Sequence, residues 1–172
     1  MKRIKIMAMI ATAIAAAACG STKEQTPAES LLGDLGKYIE NGKIMFGHQD
    51  SYLYGHSWKV DADQTVFDRS DIHYVTGKYP ALYGMDLGGI ELDSPLNIDK
   101  NDFNHMRASA VAHHERGGVL TFSWHPMNPL TGGTTWDTQS TEVVASILPG
   151  GEKHEMFMGW LSKAADFLES IR

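Results

Sequence analysis

The stretch Gly117–Asp137 reads GGVLTFSWHPMNPLTGGTTWD. A glycine pair leads into a short apolar segment, and this composition predicts a buried strand over Val119–Trp124. His125-Pro126 ends the strand, and a polar loop carrying Asn128 and Trp136 follows. In α/β barrels the C-terminal ends of the strands carry the functional side chains. The stretch therefore predicts a site at this strand end.

Two earlier strands are expected to end in the same way. The first, Ile44–Phe46, runs into Gly47-His48-Gln49-Asp50, and the second, Ala81–Leu87, carries Asp86 near its C-terminal end. Helices are predicted before, between and after the strands, over Leu31–Asn41 with Ser30 as the N-cap, from Ser70 or Asp71 to Gly77, over Asn101–Arg116 and over Glu152–Ile171. His113, on the third of these helices, is expected to face solvent.

This order of one helix followed by three βα units favours parallel strands joined by right-handed crossovers. Long loops after the strands and short loops before them fit a (β/α)8 TIM barrel. A whole barrel needs eight units and about 250 residues. In a chain of 172 residues we therefore expect about the first three βα units, within a domain over residues 30–172.

The N-terminal residues are typical of an exported bacterial lipoprotein. Basic residues precede an apolar run within residues 1–18, which predicts a signal peptide. The run ends at a lipobox-like Ala-Ala-Ala-Cys-Gly, so Cys19, the only cysteine, is expected to carry lipid and to anchor the protein to a periplasmic or cell-surface membrane face. Residues 19–29 would form a flexible tether. The net charge of −6 argues against nucleic-acid binding.

Polar residues capable of chemistry collect at the three strand ends, and an aromatic loop carrying Tyr54 and Trp58 follows the first strand. Glycoside hydrolysis needs two carboxylates among groups that bind sugars, whereas metal-assisted hydrolysis needs converging His and Asp ligands. The residues alone leave both reactions open. The strand-end set is His48, Asp50, Asp86, Glu91, His125 and Asp137.

Six motifs resemble those of glycoside hydrolase family 26, which consists mainly of endo-β-1,4-mannanases. They span about residues 30–172 and are Phe46–Gln49 (FGHQ), Tyr74–Ala81 (YVTGKYPA), Gly84–Leu87 (GMDL), Gly117–Val119 (GGV), Ser123–Pro129 (SWHPMNP) and Leu148–Gly151 (LPGG). The resemblance implies a (β/α)8 barrel and a retaining mechanism that uses two glutamates, with no cofactor or metal. Those glutamates follow the fourth and seventh strands, so we assign no catalytic residue in this chain and expect it to be inactive alone.

The resemblance implies a substrate-binding role for seven residues. His125 matches the histidine near the sugar in the minus-one subsite, and Trp136 matches a loop tryptophan that lines the same region. The others are supporting or platform residues: Asp86, His48, Gln49, Tyr54 and Trp58. The substrate would be mannan, galactomannan or glucomannan.

Two alternatives remain open. The chain could be a surface lipoprotein that binds mannan without cleaving it, with the aromatic residues supplying the affinity. It could also be a metal-dependent hydrolase that uses His48, Asp50, Asp86 and His125 as ligands.

Overall fold

The structure is a computed structural model that describes residues 25–171. It divides into two units, and the described residues 25–43 belong to the first and residues 44–171 to the second. Cys19 and the expected signal peptide lie outside the described residues. Within residues 25–171 we find no helix that is long and apolar enough to cross a membrane.

The first unit contains helix α1, Pro27–Glu40, which begins four residues before the predicted start. Thr26 is its N-cap, and the Thr26 side chain and the Glu29 side chain form a capping box. Pro27 occupies the first turn, where its missing N–H costs nothing. The prediction of Ser30 as the N-cap was wrong because Thr26-Pro27-Ala28-Glu29 is the stronger helix start.

The second unit is built on a parallel sheet of three strands in the order β1 (Gly47–Gln49), β4 (Leu82–Asp86) and β5 (Val119–Ser123). The last two strands confirm their predicted positions. The first strand lies three residues later than predicted. The apolar segment Ile44–Phe46 is not the strand: the carbonyl of Phe46 accepts the first ladder hydrogen bonds, and Ile44 is exposed.

Helices connect the strands as predicted, with additions in the loops. Ser70 caps α2 (Asp71–Thr76), and Gly77 ends it in the left-handed conformation that glycine adopts without strain. A hairpin of two-residue strands, a 3-10 helix and a five-residue α-helix were not predicted from the sequence. The elements are β2 (Tyr54–Gly55), β3 (Trp58–Lys59), α2 (Asp71–Thr76), a 3-10 helix (Ile90–Leu92), α3 (Phe103–Glu115), α4 (Val143–Ile147) and α5 (His154–Glu169). This is the βα order of a (β/α)8 barrel.

The core of the second unit lies between the sheet and helices α3 and α5. Its apolar members include Met85 and Met106, and burying each such side chain contributes about 1.5–3 kcal/mol. His113 belongs to this core. The prediction of a solvent-facing His113 was wrong, because its side chain is 1% exposed and its Nδ1 lies 2.9 Å from the Tyr52 hydroxyl. Burial lowers the pKa of His113.

Candidate functional site

Asp86 lies at the C-terminal end of β4 and organises the edge of the sheet. Its Oδ1 accepts hydrogen bonds from the backbone N–H groups of Gly88 (2.7 Å) and His125 (3.3 Å). Its Oδ2 accepts from the Ser123 hydroxyl (2.6 Å) and lies 2.5 Å from His125 Nδ1. One buried carboxylate thus joins the ends of β4 and β5.

These donors decide the charge of Asp86. Burial acts to raise its pKa, but the hydrogen bonds from Ser123, the Gly88 N–H and His125 outweigh burial and leave the pKa below its ordinary value. An ionised carboxylate only accepts hydrogen bonds, so the proton between the two side chains lies on His125 Nδ1. The His125 Nε2 atom is left for other partners.

The His125 ring stacks against Trp136. The ring centroids are 5.2 Å apart, and the planes differ by 17°. The His125 side chain is 44% exposed, in contrast to 4% for the Asp86 side chain, and Trp136 is 67% exposed. The pair therefore presents an aromatic face and a ring nitrogen to solvent above a buried anchor.

The loop that carries Trp136 is held by Asn128. The Asn128 N–H donates to the Gly133 carbonyl, and its Nδ2 donates to the Asp137 carbonyl at 3.1 Å. The Thr131 hydroxyl donates to the Asp137 carboxylate. These bonds join Asn128 to Asp137 and so fix the backbone next to Trp136, whose side chain is exposed.

Gln49 and His48 lie on opposite faces of β1, because side chains alternate along a strand. Gln49 shares a face with Gly84 and Thr121: a side chain at Gly84 would meet Gln49 Oε1 and Thr121. This face leads to Asp86 at the end of β4. His48 is on the other face, and its Nδ1 is buried without a hydrogen-bond partner among the described residues.

The hairpin residues have separate surroundings. Trp58 Nε1 donates to Asp71 at the start of α2 (2.6 Å), and the Arg69 guanidinium lies 4.6 Å from the centre of the Trp58 ring. One face of this ring is therefore covered. Tyr54 lies near Asp50, and its hydroxyl has a raised pKa because it is partly buried and faces that carboxyl.

The proposed metal-ligand set does not converge. Among residues 25–171 there is no group of three or more His, Cys, Asp or Glu side chains that could hold a metal ion. His48 faces away from the Asp86–His125 pair, and Asp86 already accepts four hydrogen bonds. The same saturation makes Asp86 unsuited to act as a nucleophile.

Sequence reasoning did not assign two residues that complete the site. Glu91, in the 3-10 helix, accepts hydrogen bonds from the residues that flank His125-Pro126, and Ser123 binds Asp86. Glu91 was noted as a strand-end carboxylate but received no role. The signal for Ser123 was its place two residues before His125, at the last position of β5.

Comparison with known proteins agrees with this architecture. Residues 22–172 match the model of glycosyl hydrolase family 26. A mannan endo-1,4-β-mannosidase of Bifidobacterium adolescentis is 35% identical over 140 residues, which are 78% of this chain and 13% of that protein. The structure of a GH26 β-mannanase from Bacteroides ovatus superposes with a TM-score of 0.76 at 40% identity, over 86% of this chain and 42% of that one.

A further solved structure, the catalytic domain of a GH26 endo-β-1,4-mannanase from Bacillus sp. JAMB-750, gives a TM-score of 0.61 at 33% identity and covers 74% of this chain and 34% of that one. The chain thus spans less than half the length of each of these three relatives. The family match, in contrast, covers most of the chain. The chain belongs to glycosyl hydrolase family 26.

Proposed function

We propose that the Asp86–His125–Trp136 site binds β-mannan, and that the protein is a mannan endo-1,4-β-mannosidase. The observation that carries the proposal is a histidine ring fixed by a buried carboxylate and stacked on an exposed tryptophan. The support from similarity is that the three relatives above are named as mannanases or a mannosidase.

The geometry suits a pyranose ring. The apolar C–H face of a sugar packs on an aromatic ring, and Trp136 offers such a surface. Asp86 holds Nδ1–H, so His125 Nε2 accepts from a sugar hydroxyl when the ring is neutral and donates to one when it is protonated. Gln49, on the inner face of β1, would add amide hydrogen bonds.

Cleavage would proceed by double displacement, in which one glutamate attacks the anomeric carbon and the other protonates the leaving oxygen and then activates water. The family resemblance assigns those roles to glutamates after the fourth and seventh strands. The residues described here would supply the wall of the cleft, and no catalytic role is assigned to them.

The test is calorimetric titration of the protein with mannohexaose, with cellohexaose as the control ligand. His125→Ala and Trp136→Ala should each weaken mannohexaose binding by about tenfold or more, since each removes about 1.4 kcal/mol or more of contact. Tyr74→Ala is the matched control, because Tyr74 is an exposed aromatic residue on α2. An unmodified protein that does not bind mannohexaose would contradict the proposal.

A second assay separates binding from cleavage. Release of reducing ends from mannan, measured on the same preparation, would support hydrolysis. Mannan binding with no release is expected of this chain under both proposals, because none of its residues is assigned a catalytic role. The same assay on a protein that also carries the glutamates after the fourth and seventh strands would separate a mannanase from a surface lipoprotein that binds mannan without cleaving it.

We further propose that the protein is exported and anchored through lipid on Cys19, so that it meets polysaccharide outside the cytoplasm. The support is the charge pattern of residues 1–18 and the small residues before Cys19. Labelling with radioactive palmitate in a bacterial host should mark the protein, and Cys19→Ser should abolish the label. An unlabelled protein would contradict the anchor.

A further inference from the structure

Glu91 is a buried carboxylate beside the site, and both of its carboxylate oxygens accept hydrogen bonds. Its Oε2 accepts hydrogen bonds from the Gly89 N–H (3.0 Å) and from Trp124 Nε1 (3.1 Å). Its Oε1 accepts from the Met127 N–H (2.9 Å). The residue is 3% exposed, so these bonds are made away from bulk water.

The partners of Glu91 enclose the functional dipeptide. Trp124 directly precedes His125, and Met127 directly follows Pro126. Pro126 has no N–H and cannot be anchored by donating a backbone hydrogen bond. The Trp124 indole Nε1–H and the Met127 backbone N–H both donate to the Glu91 carboxylate, and they add to the hydrogen bond that the His125 N–H donates to Asp86.

Two further contacts hold Glu91 in place. Lys163 Nζ, from α5, donates to the Glu91 carbonyl at 2.9 Å and pairs with Asp93 at 2.7 Å. The Trp124 ring stacks on Phe157 of the same helix, with 13° between the planes. The 3-10 helix is thus fixed to α5, so Glu91 is a rigid support.

We propose that Glu91 is a positioning residue for His125: it holds the Trp124 indole on one side of His125-Pro126 and the Met127 backbone on the other, while Asp86 binds the ring and the backbone N–H of His125. The two carboxylates then have separate roles: Asp86 orients the imidazole through Nδ1, and Glu91 positions the chain segment that carries the imidazole. The consequence for sugar binding rests on the proposed function, whereas the effect on the His125–Asp86 hydrogen bond does not.

Glu91→Gln tests the proposal. Glutamine keeps the shape but directs an NH₂ donor at groups that themselves donate, so at least one of the three hydrogen bonds is lost. Asp93→Asn is the matched control: it removes the neighbouring charge, its amide oxygen can still accept from Lys163, and asparagine tolerates the positive φ of 56° at that position. Trp124→Phe removes one donor to Glu91 and keeps an aromatic ring on Phe157.

The primary readout is the nitrogen–proton NMR spectrum of protein labelled with ¹⁵N-histidine and ¹⁵N-tryptophan. The short bond to Asp86 should give the His125 Nδ1–H a far-downfield resonance. Glu91→Gln should shift or broaden that resonance and weaken mannohexaose binding by about tenfold, and Asp93→Asn should leave both unchanged. Trp124→Phe should give a smaller change of the same kind, and it decides the question if Glu91→Gln does not fold.

An unchanged His125 resonance in Glu91→Gln, or in Trp124→Phe where the first variant does not fold, would overturn the proposal and leave Glu91 with a role in stability only. Failure of the unmodified protein to bind mannohexaose would instead contradict the proposed function, and the NMR comparison would still decide the role of Glu91.

Discussion

Asp50 and Asp86 lie at the C-terminal ends of neighbouring parallel strands, and both are almost fully buried, at 0% and 3% exposed. They differ in hydrogen bonding. Asp86 accepts four hydrogen bonds, whereas neither side-chain oxygen of Asp50 has a partner among residues 25–171. The pKa of Asp86 lies below its ordinary value, and that of Asp50 is raised to about 7.

The comparison shows that burial alone does not decide the charge of a carboxyl group. Burial acts against ionisation at both positions. At Asp50 burial is the main cause of the raised pKa, and the negative charges of Asp99 and Asp86 add to it. The Tyr54 hydroxyl and the Asn101 amide, which lie nearby but form no hydrogen bond with the carboxyl, offset a part. At Asp86 the donors outweigh burial. Only Asp86 is therefore ready to orient a histidine as an ionised carboxylate at neutral pH.

The largest effect on stability is expected from removing the Asp86 carboxylate, which accepts four hydrogen bonds. Asp86→Ala should lower the free energy of unfolding by about 3–5 kcal/mol, because the donors of Ser123, Gly88 and His125 lose their common acceptor. Mannohexaose affinity should fall with it, since the His125 ring loses its anchor. Urea unfolding and calorimetric titration measure the two effects.

Asp99→Asn serves as the control for this loss. Burial is the main cause of the raised pKa of Asp99, and the negative charge of Asp86 adds to it, so the two carboxylates repel each other. Removing the Asp99 charge should leave stability unchanged or slightly higher. A loss of less than about 1 kcal/mol in Asp86→Ala would show that the four hydrogen bonds contribute little to the fold.

The unsatisfied carboxyl should make stability depend on pH. The pKa of Asp50 rises from 3.8 in the unfolded chain to about 7 in the folded protein. Its contribution to stability is therefore fully present below about pH 4 and is lost as the pH rises through 7. The loss is at most about 4 kcal/mol, since each pH unit between the two values corresponds to about 1.4 kcal/mol.

Asp50→Asn should abolish this part of the pH dependence. The amide stays neutral, so the variant should be more stable than the unmodified protein at pH 8.5 and similar to it at pH 3.5, below the unfolded pKa of Asp50. Urea unfolding at the two pH values gives the difference between the proteins, in which titration of the histidines cancels. Equal slopes of stability against pH would contradict a neutral Asp50 in the folded protein.

Much of the fold could be predicted because it depends on local signals. Ser70 and Gly77 mark the ends of α2, and the alternation of apolar runs with helical periodicity places β4 and β5. The errors come from competition between signals of the same kind. The apolar run led to the prediction of the first strand at Ile44–Phe46, whereas the hydrogen-bonded ladder with β4 begins at Phe46 and continues to Asp50.

The candidate site was less predictable, because it depends on contacts distant in sequence. His125 and Asp86 were both singled out, but their bond joins residues 39 positions apart. No local pattern distinguishes Asp50 from Asp86, since two of the Asp86 donors come from another strand and its following loop. His113 looked like a surface histidine because its buried partner, the Tyr52 hydroxyl, lies 61 positions away.

The smallest effect is expected from removing a single donor to Asp86. Ser123→Ala deletes the 2.6 Å bond from the Ser123 hydroxyl to Oδ2 and should cost about 1–2 kcal/mol. It should also raise the pKa of Asp86 towards its ordinary value. A carboxyl whose pKa is lower in the folded protein than in the unfolded chain stabilises the fold at pH values above its unfolded pKa. This contribution to stability is lost as the pH falls through the folded-state pKa. The variant should therefore lose less stability than the unmodified protein between pH 5 and pH 2.

Thr121→Val is the matched control, because Thr121 lies two residues earlier on the same face of β5, beside Gly84 and away from Asp86. The free energy of unfolding of this variant, measured with urea between pH 2 and pH 5, should change with pH as it does in the unmodified protein. If Ser123→Ala also leaves this pH dependence of stability unchanged, the N–H donors of Gly88 and His125 alone hold the Asp86 carboxylate ionised. Asp86 would then differ from Asp50 through the backbone N–H groups and the His125 ring around it, and the Ser123 hydroxyl would contribute nothing to the difference.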